Sequence, residues 1–500
     1  MRIKSYAITV SVRFSACSPR SRCAYQLSTF WNTGPVSGAD IDNQVMSVLR
    51  DLDTKDHFSI LLGAGASAGV GLPDWNSLSK RLLILSGAID DDQTATAFLA
   101  AQDPALAAEA AKSSSAKWDD TLIDALYGGS VDEPEPGALH LAAAALALQH
   151  PPGAVELFTL NFDLLIERAI EEVADEVGKT VSLFTRTKGM PRGKPSDFEV
   201  HHLHGALDPI TREAKDIVLT LSEFSALVVE QHPWQATALD NALQRGPLIL
   251  AGTSYRDADI RSWLHGLSTA TKDRVVVFLA RQGLGLNKTQ FEKVQEALEQ
   301  QWVAIGVQPV ITQDYADAAQ ALKELPHLEA TDYLPPRQRS RNLWESCLAD
   351  FEALQIQHSA ILESHLEDLI NAVGAPANLV LWLCDGDSSA VRWSAPDRIY
   401  KDPGSLRKVP TGHDSPWIVG KCLGSNEVMA EDLNELSDSV RRWKHVIALP
   451  ITVERDGGPA FTYAAITAAL SEPPEASLLD AWLSALGIIA GDWSDRLSAL

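Results

Sequence analysis

Residues 58–75 read FSILLGAGASAGVGLPDW, and the fold turns on this stretch. Phe58 to Leu62 is an apolar run of strand length, the pattern of a strand buried on both faces. It breaks into GAGASAG, where glycines let the backbone turn tightly and approach a ligand closely. A helix-like segment follows from Trp75 to Leu85. Strand, glycine turn and helix form a phosphate-binding arrangement, because N–H groups exposed at a helix start attract anions. The spacing Gly63, Gly65, Gly69 departs from the dinucleotide fingerprint, which would put its third glycine where this chain has Ala68. The other reading of these glycines is a tight turn that needs small residues for packing.

Three further segments follow in order: FTLNFDLLIE at 158–167, HHLHGALDP at 201–209 and LILAGTSYRDADI at 248–260. Each has an apolar lead-in and then small or polar residues, so each places polar groups at a strand's carboxyl end. In open α/β sheets that edge is where ligands bind. Strands are expected at 58–62, 155–159, 181–184, 200–204, 217–220, 247–251 and 275–280, and helices at 162–177, 234–244 and 288–301. This alternation predicts an α/β fold with a Rossmann-like parallel sheet and helices on both faces. Residues 78–150 are rich in Ala and Leu and read as a helical subdomain inserted after the glycine turn.

Asn161 carries both a donor and an acceptor, so it can grip a hydroxyl or place a water. Alternatively, Asn161 and Asp163 serve an Asx-turn or cap the helix that begins near Phe162. His204 titrates near neutral pH and can take a proton. His202 shares its strand face and His201 points away; both read as structural. No metal site is expected from three histidines on one strand.

The ordered set GAGAS (63–67), LPDW (72–75), TLNFD (159–163), LHG (203–205) and GTS (252–254) resembles the sirtuin family. It is most similar to the bacterial sirtuin-like branch found in NAD-consuming defence proteins, over roughly residues 45–325. The resemblance implies that Gly63, Ala64, Gly65 and Ser67 cradle the diphosphate of NAD through backbone N–H groups, with the Ser67 hydroxyl as a further donor. Pro73, Asp74 and Trp75 stand where sirtuins carry Pro-Asp-Phe-Arg. Trp75 would replace the Phe that shields the ribose C1′ face, or be a core aromatic. Asn76 replaces the Arg. Asn161 and His204 fall on the catalytic positions, with Asp163 beside them. Gly252, Thr253 and Ser254 fall where the family touches adenosine, although another strand–helix turn would look the same. Protein-deacylating sirtuins insert a four-cysteine zinc module after the catalytic histidine. Residues 24–346 contain no cysteine, so no zinc is expected and water is the simplest acceptor.

Residues 331–342, TDYLPPRQRSRN, read as a linker. A long helix should follow, with apolar residues at Leu343, Cys347, Phe351, Leu354, Ile361, Leu362, Leu366, Leu369 and Val373. It would pack on its own domain, or dimerise and carry a signal. From Asn378 the pattern changes to strands and turns and ends in a helix at 477–489. IVGKCLGSNEVMAEDL and VIALPITVERDGGPAFTYAAIT resemble the strand–turn–Asp segment and central hairpin of GAF domains. This implies a smaller α+β GAF-like sensor domain over 343–500.

Five hundred residues are enough for two or three domains, and 45% hydrophobic with 22% charged residues suits a globular chain. A net charge of −24 argues against general nucleic-acid binding. Five scattered cysteines suggest neither a zinc site nor a disulfide framework, and fit a reducing cytoplasm. No apolar run reaches the length of a membrane span. Residues 1–44 carry Arg2, Lys4, Arg13, Arg20 and Arg22 and are expected to be a disordered tail or the product of a wrongly chosen start codon.

Together these readings predict an NAD glycohydrolase that releases nicotinamide and ADP-ribose, with NAD as substrate. Its expected setting is a regulated, homo-oligomeric bacterial antiviral effector, triggered at the C-terminal domain by a small molecule or a phage-derived signal. The rival readings are a protein deacylase or ADP-ribosyltransferase, and a catalytically quiet NAD or ADP-ribose sensor.

Overall fold

The computed structural model describes residues 41, 43–52, 54–129, 134–188, 197–230, 233–253, 258–266, 274–433, 443–455, 457–471 and 479–500. Most of the expected N-terminal tail, residues 1–40, and Ser254 lie outside these. The chain forms two compact units. One holds Asp51–Ala318; the other holds α1 (Asn43–Arg50) with Ala319–Leu500.

In the first unit, β1 (Phe58–Leu62) runs into α2 (Ala64–Ala68). Then come α3 (Trp75–Leu85), α4 (Asp92–Ala101), α5 (Pro104–Ser114), α6 (Trp118–Tyr127) and α7 (Ala138–Gln149). Next are β2 (Val155–Thr159), α8 (Leu165–Glu176), β3 (Leu183–Arg186), β4 (Phe198–His202) and the hairpin β5 (Ala206–Asp208) and β6 (Glu213–Lys215). The unit closes with α9 (Leu221–Val229), α10 (Trp234–Arg245), β7 (Leu248–Ala251), α11 (Ala258–Gly266), β8 (Val275–Ala280), α12 (Lys288–Val303), β9 (Gln308–Thr312) and the first turn of α13 (Tyr315–Glu324), whose remainder belongs to the second unit.

Seven strands pair in the order β3-β4-β2-β1-β7-β8-β9, all parallel. The strand-length apolar runs explain this: all of β1, β7 and β8 is buried, as strands covered on both faces must be. β1 pairs with β2 on one side and β7 on the other, so the strand order reverses at β1. A crevice opens at the carboxyl ends of the strands at such a reversal.

Several expectations are corrected. Residues 217–220 are not a strand: Thr220 caps α9, with Glu223 returning the bond to its backbone N–H. β9 was not among the expected strands; it lies at the sheet's edge, where the missing N–H of Pro309 is tolerated. The inserted helical layer is α3–α6, whose Leu78, Leu82, Leu122 and Leu126 share a core with Leu207 and Leu219. α7, expected within the insertion, lies against β1, β2 and α8.

In the second unit, α14 (Pro336–Ala349) and α15 (Phe351–Val373) precede β10 (Ala377–Cys384), β11 (Ser389–Ser394) and β12 (Lys408–Pro410). α16 (Ile418–Ser425), β13 (Met429–Asp432), β14 (His445–Val453), β15 (Phe461–Leu470) and α17 (Leu479–Ser498) complete it. The six strands form an antiparallel sheet in the order β12-β11-β10-β15-β14-β13. Trp393, Trp482 and Trp493 are sealed in its core. The single long helix expected from Leu343 is two helices that meet at Asp350. The segment at 418–425, expected as strand and turn, is α16. Its Gly420 and Gly424 are required because residues 410–415 pass where side chains would stand.

The stretch 331–342 is not an open linker, since α14 begins at Pro336 and Arg339 is wholly buried. Its guanidinium contacts Glu324, donates to the Pro459 carbonyl at 2.7 Å and lies 4.6 Å from the Phe461 ring centre. Removing one partner of a buried pair strands the other charge. Arg339→Ala should therefore lower stability by roughly 3–5 kcal/mol, while Arg339→Met with Glu324→Leu should lose much less. Urea unfolding followed by tryptophan fluorescence would separate the two, and equal losses would contradict this account.

Candidate functional site

The carboxyl ends of β1, β2, β4 and β7 bring the sequence-derived segments together. β2 and β4 pair with Thr159 opposite His202, so Asn161 and His204, each two residues further on, leave the sheet side by side. The Leu203 amide donates to the Thr159 carbonyl at 2.9 Å, and Gln235 of α10 donates to the Leu203 carbonyl at 3.0 Å. These bonds fix the chain just before His204.

Packing demands the glycines of the first turn. A Cβ on Gly63 would stand 2.7 Å from Thr253 Cα, and one on Gly65 would stand 2.4 Å from Tyr315 Cζ. Gly252 has φ +66°, and a Cβ there would stand 2.7 Å from the Ala66 nitrogen. The turn's amides are engaged as well. Gly63 N donates to Ala251 O at 3.0 Å, Gly65 N to Gly252 O at 2.7 Å and Ala66 N to Gly63 O at 2.9 Å. Two of the expected donors, the Gly63 and Gly65 amides, are thus bonded within the protein, and these bonds lock the first turn to the GTS turn.

The Ser67 hydroxyl is the hub of a buried network. It donates to Asp163 Oδ2 at 2.8 Å, which corrects its expected role as a donor to phosphate. It accepts from Asn161 Nδ2 at 2.7 Å and faces His140 Nε2 at 3.4 Å. His140 Nδ1 accepts from the Gly137 amide at 3.1 Å, which places the ring proton on Nε2, pointing at Ser67. Burial pushes the His140 pKa down to about 3, so this ring is neutral. Burial raises the pKa of Asp163 against the opposing hydrogen bonds from Ser67 and the Leu165 amide. Asn161 Nδ2 gives its second proton to the Gly63 carbonyl at 3.2 Å. Both carboxamide protons are then engaged, and among the described residues Oδ1 has no partner. Asn161 therefore offers a ligand an acceptor only, which suits a hydroxyl or a water.

His204 is buried between rings, edge-on to Phe224 at 5.7 Å and to Trp263 at 5.8 Å. Burial lowers its pKa to about 4, so it is a neutral imidazole at pH 7. Phe224 also meets Trp75 at 6.3 Å, so Trp75 backs the ring that faces His204 while also packing on the helical layer's core. Nothing in the sequence singled out Phe224, Trp263 or Tyr315; they come from helices whose aromatics look like ordinary core. His201 stacks on Phe158 at 4.6 Å, away from the site.

The remaining residues divide. Asp74 is exposed and caps α3 by accepting from the Ser77 amide at 2.7 Å, a sufficient reason for an aspartate there. Pro73 is half-buried and Ala64 is exposed at the turn. Thr253 is buried, and its Oγ1 has no hydrogen-bond partner among the described residues. No group of three His, Cys, Asp or Glu among the described residues could hold a metal, and no described helix is long and apolar enough to cross a membrane.

Residues 155–310 match the SIR2-like domain family. A solved structure described as a SIR2 homolog–NAD complex is similar over 59% of this chain and 97% of that one, at 16% identity and a TM-score of 0.30. No curated protein matches.

Ser67→Ala would leave Asn161, Asp163 and His140 each short of a buried partner, at about 1–3 kcal/mol for each group stranded. The expected outcome is lost hydrogen-exchange protection at the ends of β1 and β2, largely restored in Ser67→Thr. Unchanged protection in Ser67→Ala would show that the hub is dispensable.

Proposed function

We propose that the first unit consumes NAD by hydrolysis, releasing nicotinamide and ADP-ribose. The reading is carried by a neutral, buried His204 and by Asn161, whose Oδ1 is left as an acceptor, each two residues beyond the paired Thr159 and His202. The match to the SIR2-like family supports it.

The chemistry asks little of covalent groups, because the nicotinamide of NAD is already cationic. As the bond from ribose C1′ to the ring nitrogen breaks, its electron pair returns to the ring and a neutral base leaves. Water oxygen bonds to C1′, and its proton passes to His204. Asn161 Oδ1 would orient that water or a ribose hydroxyl. The rings of Trp75, Phe224 and Trp263 would keep bulk water from a cationic transition state.

A second reading draws on two observations: amides of the glycine turn are engaged internally, and His204 is a weak base. Both suit a catalytically quiet sensor of NAD or ADP-ribose. A deacylase or ADP-ribosyltransferase would share the bond cleavage and differ in the acceptor. We read the antiparallel second unit as the GAF-like regulatory part of a homo-oligomeric bacterial defence effector, responding to a small-molecule or phage-derived trigger. Its six-stranded sheet with flanking helices is compatible with that role.

Nicotinamide release by the purified protein tests the proposal, with and without candidate triggers. His204→Ala and Asn161→Ala should each lose on the order of 100-fold or more. Equal release by wild type and both variants would sink the hydrolase reading, NAD binding without release would favour the sensor, and label transferred from NAD to protein would favour the transferase. The pH profile is a separate expectation. Catalysis needs neutral His204, whose pKa lies near 4, so kcat/KM should show no acid limb near 6.5 and should fall on the acid side only as pH approaches 4. An acid limb at or above 6.5, the ordinary histidine value, would contradict the assignment.

A further inference from the structure

His202, which the sequence marked as structural, makes two contacts that constrain its charge. Its Nδ1 lies 3.2 Å from the Asn161 carbonyl and its Nε2 lies 2.9 Å from Glu167 Oε1. A carbonyl and a carboxylate can only accept, so both ring nitrogens must donate and the ring is an imidazolium. The His202 side chain is fully buried and that of Glu167 nearly so. Thr185 of β3 donates to the same Glu167 oxygen at 2.7 Å, which holds the carboxylate in place.

We propose that the Glu167–His202 pair is the positioning device of this site: it grips the Asn161 carbonyl and thereby sets where Asn161 Oδ1 meets the substrate. The inference rests on Asn161 being a substrate-facing group. Asn161 is held at three points: its amide by Thr159 Oγ1 at 2.9 Å, its Nδ2 by Ser67 and Gly63, and its carbonyl by His202. The third bond depends on a proton. Without the Glu167 carboxylate, a neutral imidazole can carry its one proton on Nε2 and turn a lone pair toward the Asn161 carbonyl.

The charged and titratable groups around the ring are accounted for. Glu167 on α8 and Asp163 before it act on His202 directly. On β3, Arg186 pairs with Glu199 at 3.0 Å. On β4 itself, His201 stacks on Phe158, and His204 is neutral. Across Ser67, His140 is neutral too. Burial alone would lower the basicity of His202. Glu167, Asp163 and the Asn161 carbonyl outweigh it, so the pKa lies above the ordinary 6.5. A raised folded-state pKa means the grip is complete below the ordinary histidine value and is lost as pH rises through the folded value. Turnover should therefore carry an alkaline limb set by His202.

The test uses the full chain with Glu167→Ala and the isosteric Glu167→Gln, in which a carboxamide can donate to Nε2 while Nδ1–H keeps the Asn161 carbonyl. Nitrogen-15 spectra of labelled histidines should show His202 with both nitrogens protonated at pH 7 in the wild type, and neutral in Glu167→Gln. Nicotinamide release should fall about tenfold or more in kcat for Glu167→Ala, with KM for NAD within about threefold. Glu167→Gln should recover most of that loss but lack the alkaline limb. A neutral His202 in the wild type, a wild-type kcat in Glu167→Ala, or an unchanged alkaline limb in Glu167→Gln would each overturn the proposal. If the wild type releases no nicotinamide at all, the hydrolase reading fails by itself. The His202 spectrum and the exchange protection of the Asn161 amide then decide this inference without turnover.

Discussion

The Ser67 hydroxyl occupies the point on which the rest of the first unit depends. It is buried, it donates to Asp163, and it accepts from Asn161 while His140 points at it. A buried polar group that loses its partner is expensive, so these side chains constrain one another. Their backbones belong to the turn after β1, the turn after β2 and the start of α7. Through one oxygen, the network ties the strand at the reversal point to its neighbour and to the helix that covers both. The interlocked glycines of the first and fourth turns do the same on the β7 side, by steric contact.

Each unit also carries a buried ion pair, and the two contrast. Arg339 with Glu324 holds the start of α14 in the second unit, with its guanidinium over an aromatic ring and bonded to a main-chain carbonyl. His202 with Glu167 sits directly behind Asn161 and shares its proton with that residue's carbonyl. Desolvating two charges offsets much of their attraction, so neither pair is a strong source of net stability. What each supplies is direction. An arginine stays charged at every accessible pH, whereas a histidine does not, which gives the second pair a dependence on pH that the first lacks.

Much of the site was legible along the chain. β1 (FSILL) and β2 (VELFT) have the expected bounds because each is a short, largely apolar segment of strand length. Asn161 and His204 were marked by their place just beyond such runs, and the sheet register sets them side by side. Residues 217–220 misled because a short apolar run cannot by itself tell a strand from the approach to a capped helix. β9 carries Pro309, whose tolerance depends on being at the sheet's edge, a fact of topology. The basic residues of 331–342 read as solvated linker, but burial of Arg339 depends on Glu324, Pro459 and Phe461, the last two more than a hundred residues away.

The sequence by itself determined the alternation of strands and helices, the glycine turn and the order of the polar segments, since these follow from periodicity and local backbone freedom. It also carried the sirtuin resemblance over roughly residues 45–325, of which 155–310 match the SIR2-like domain family. Only the tertiary structure decided what the polar groups do. It bonded the Gly63 and Gly65 amides to the β7 side, gave the Ser67 proton to Asp163, made Asp74 a helix cap and closed Phe224 and Trp263 around His204. The physical reason is that a hydrogen-bonding group or a titratable ring takes its role from its neighbours in space and from the water they exclude. Those neighbours are brought together by packing across dozens of residues, and no local pattern in FSILLGAGASAGVGLPDW names them.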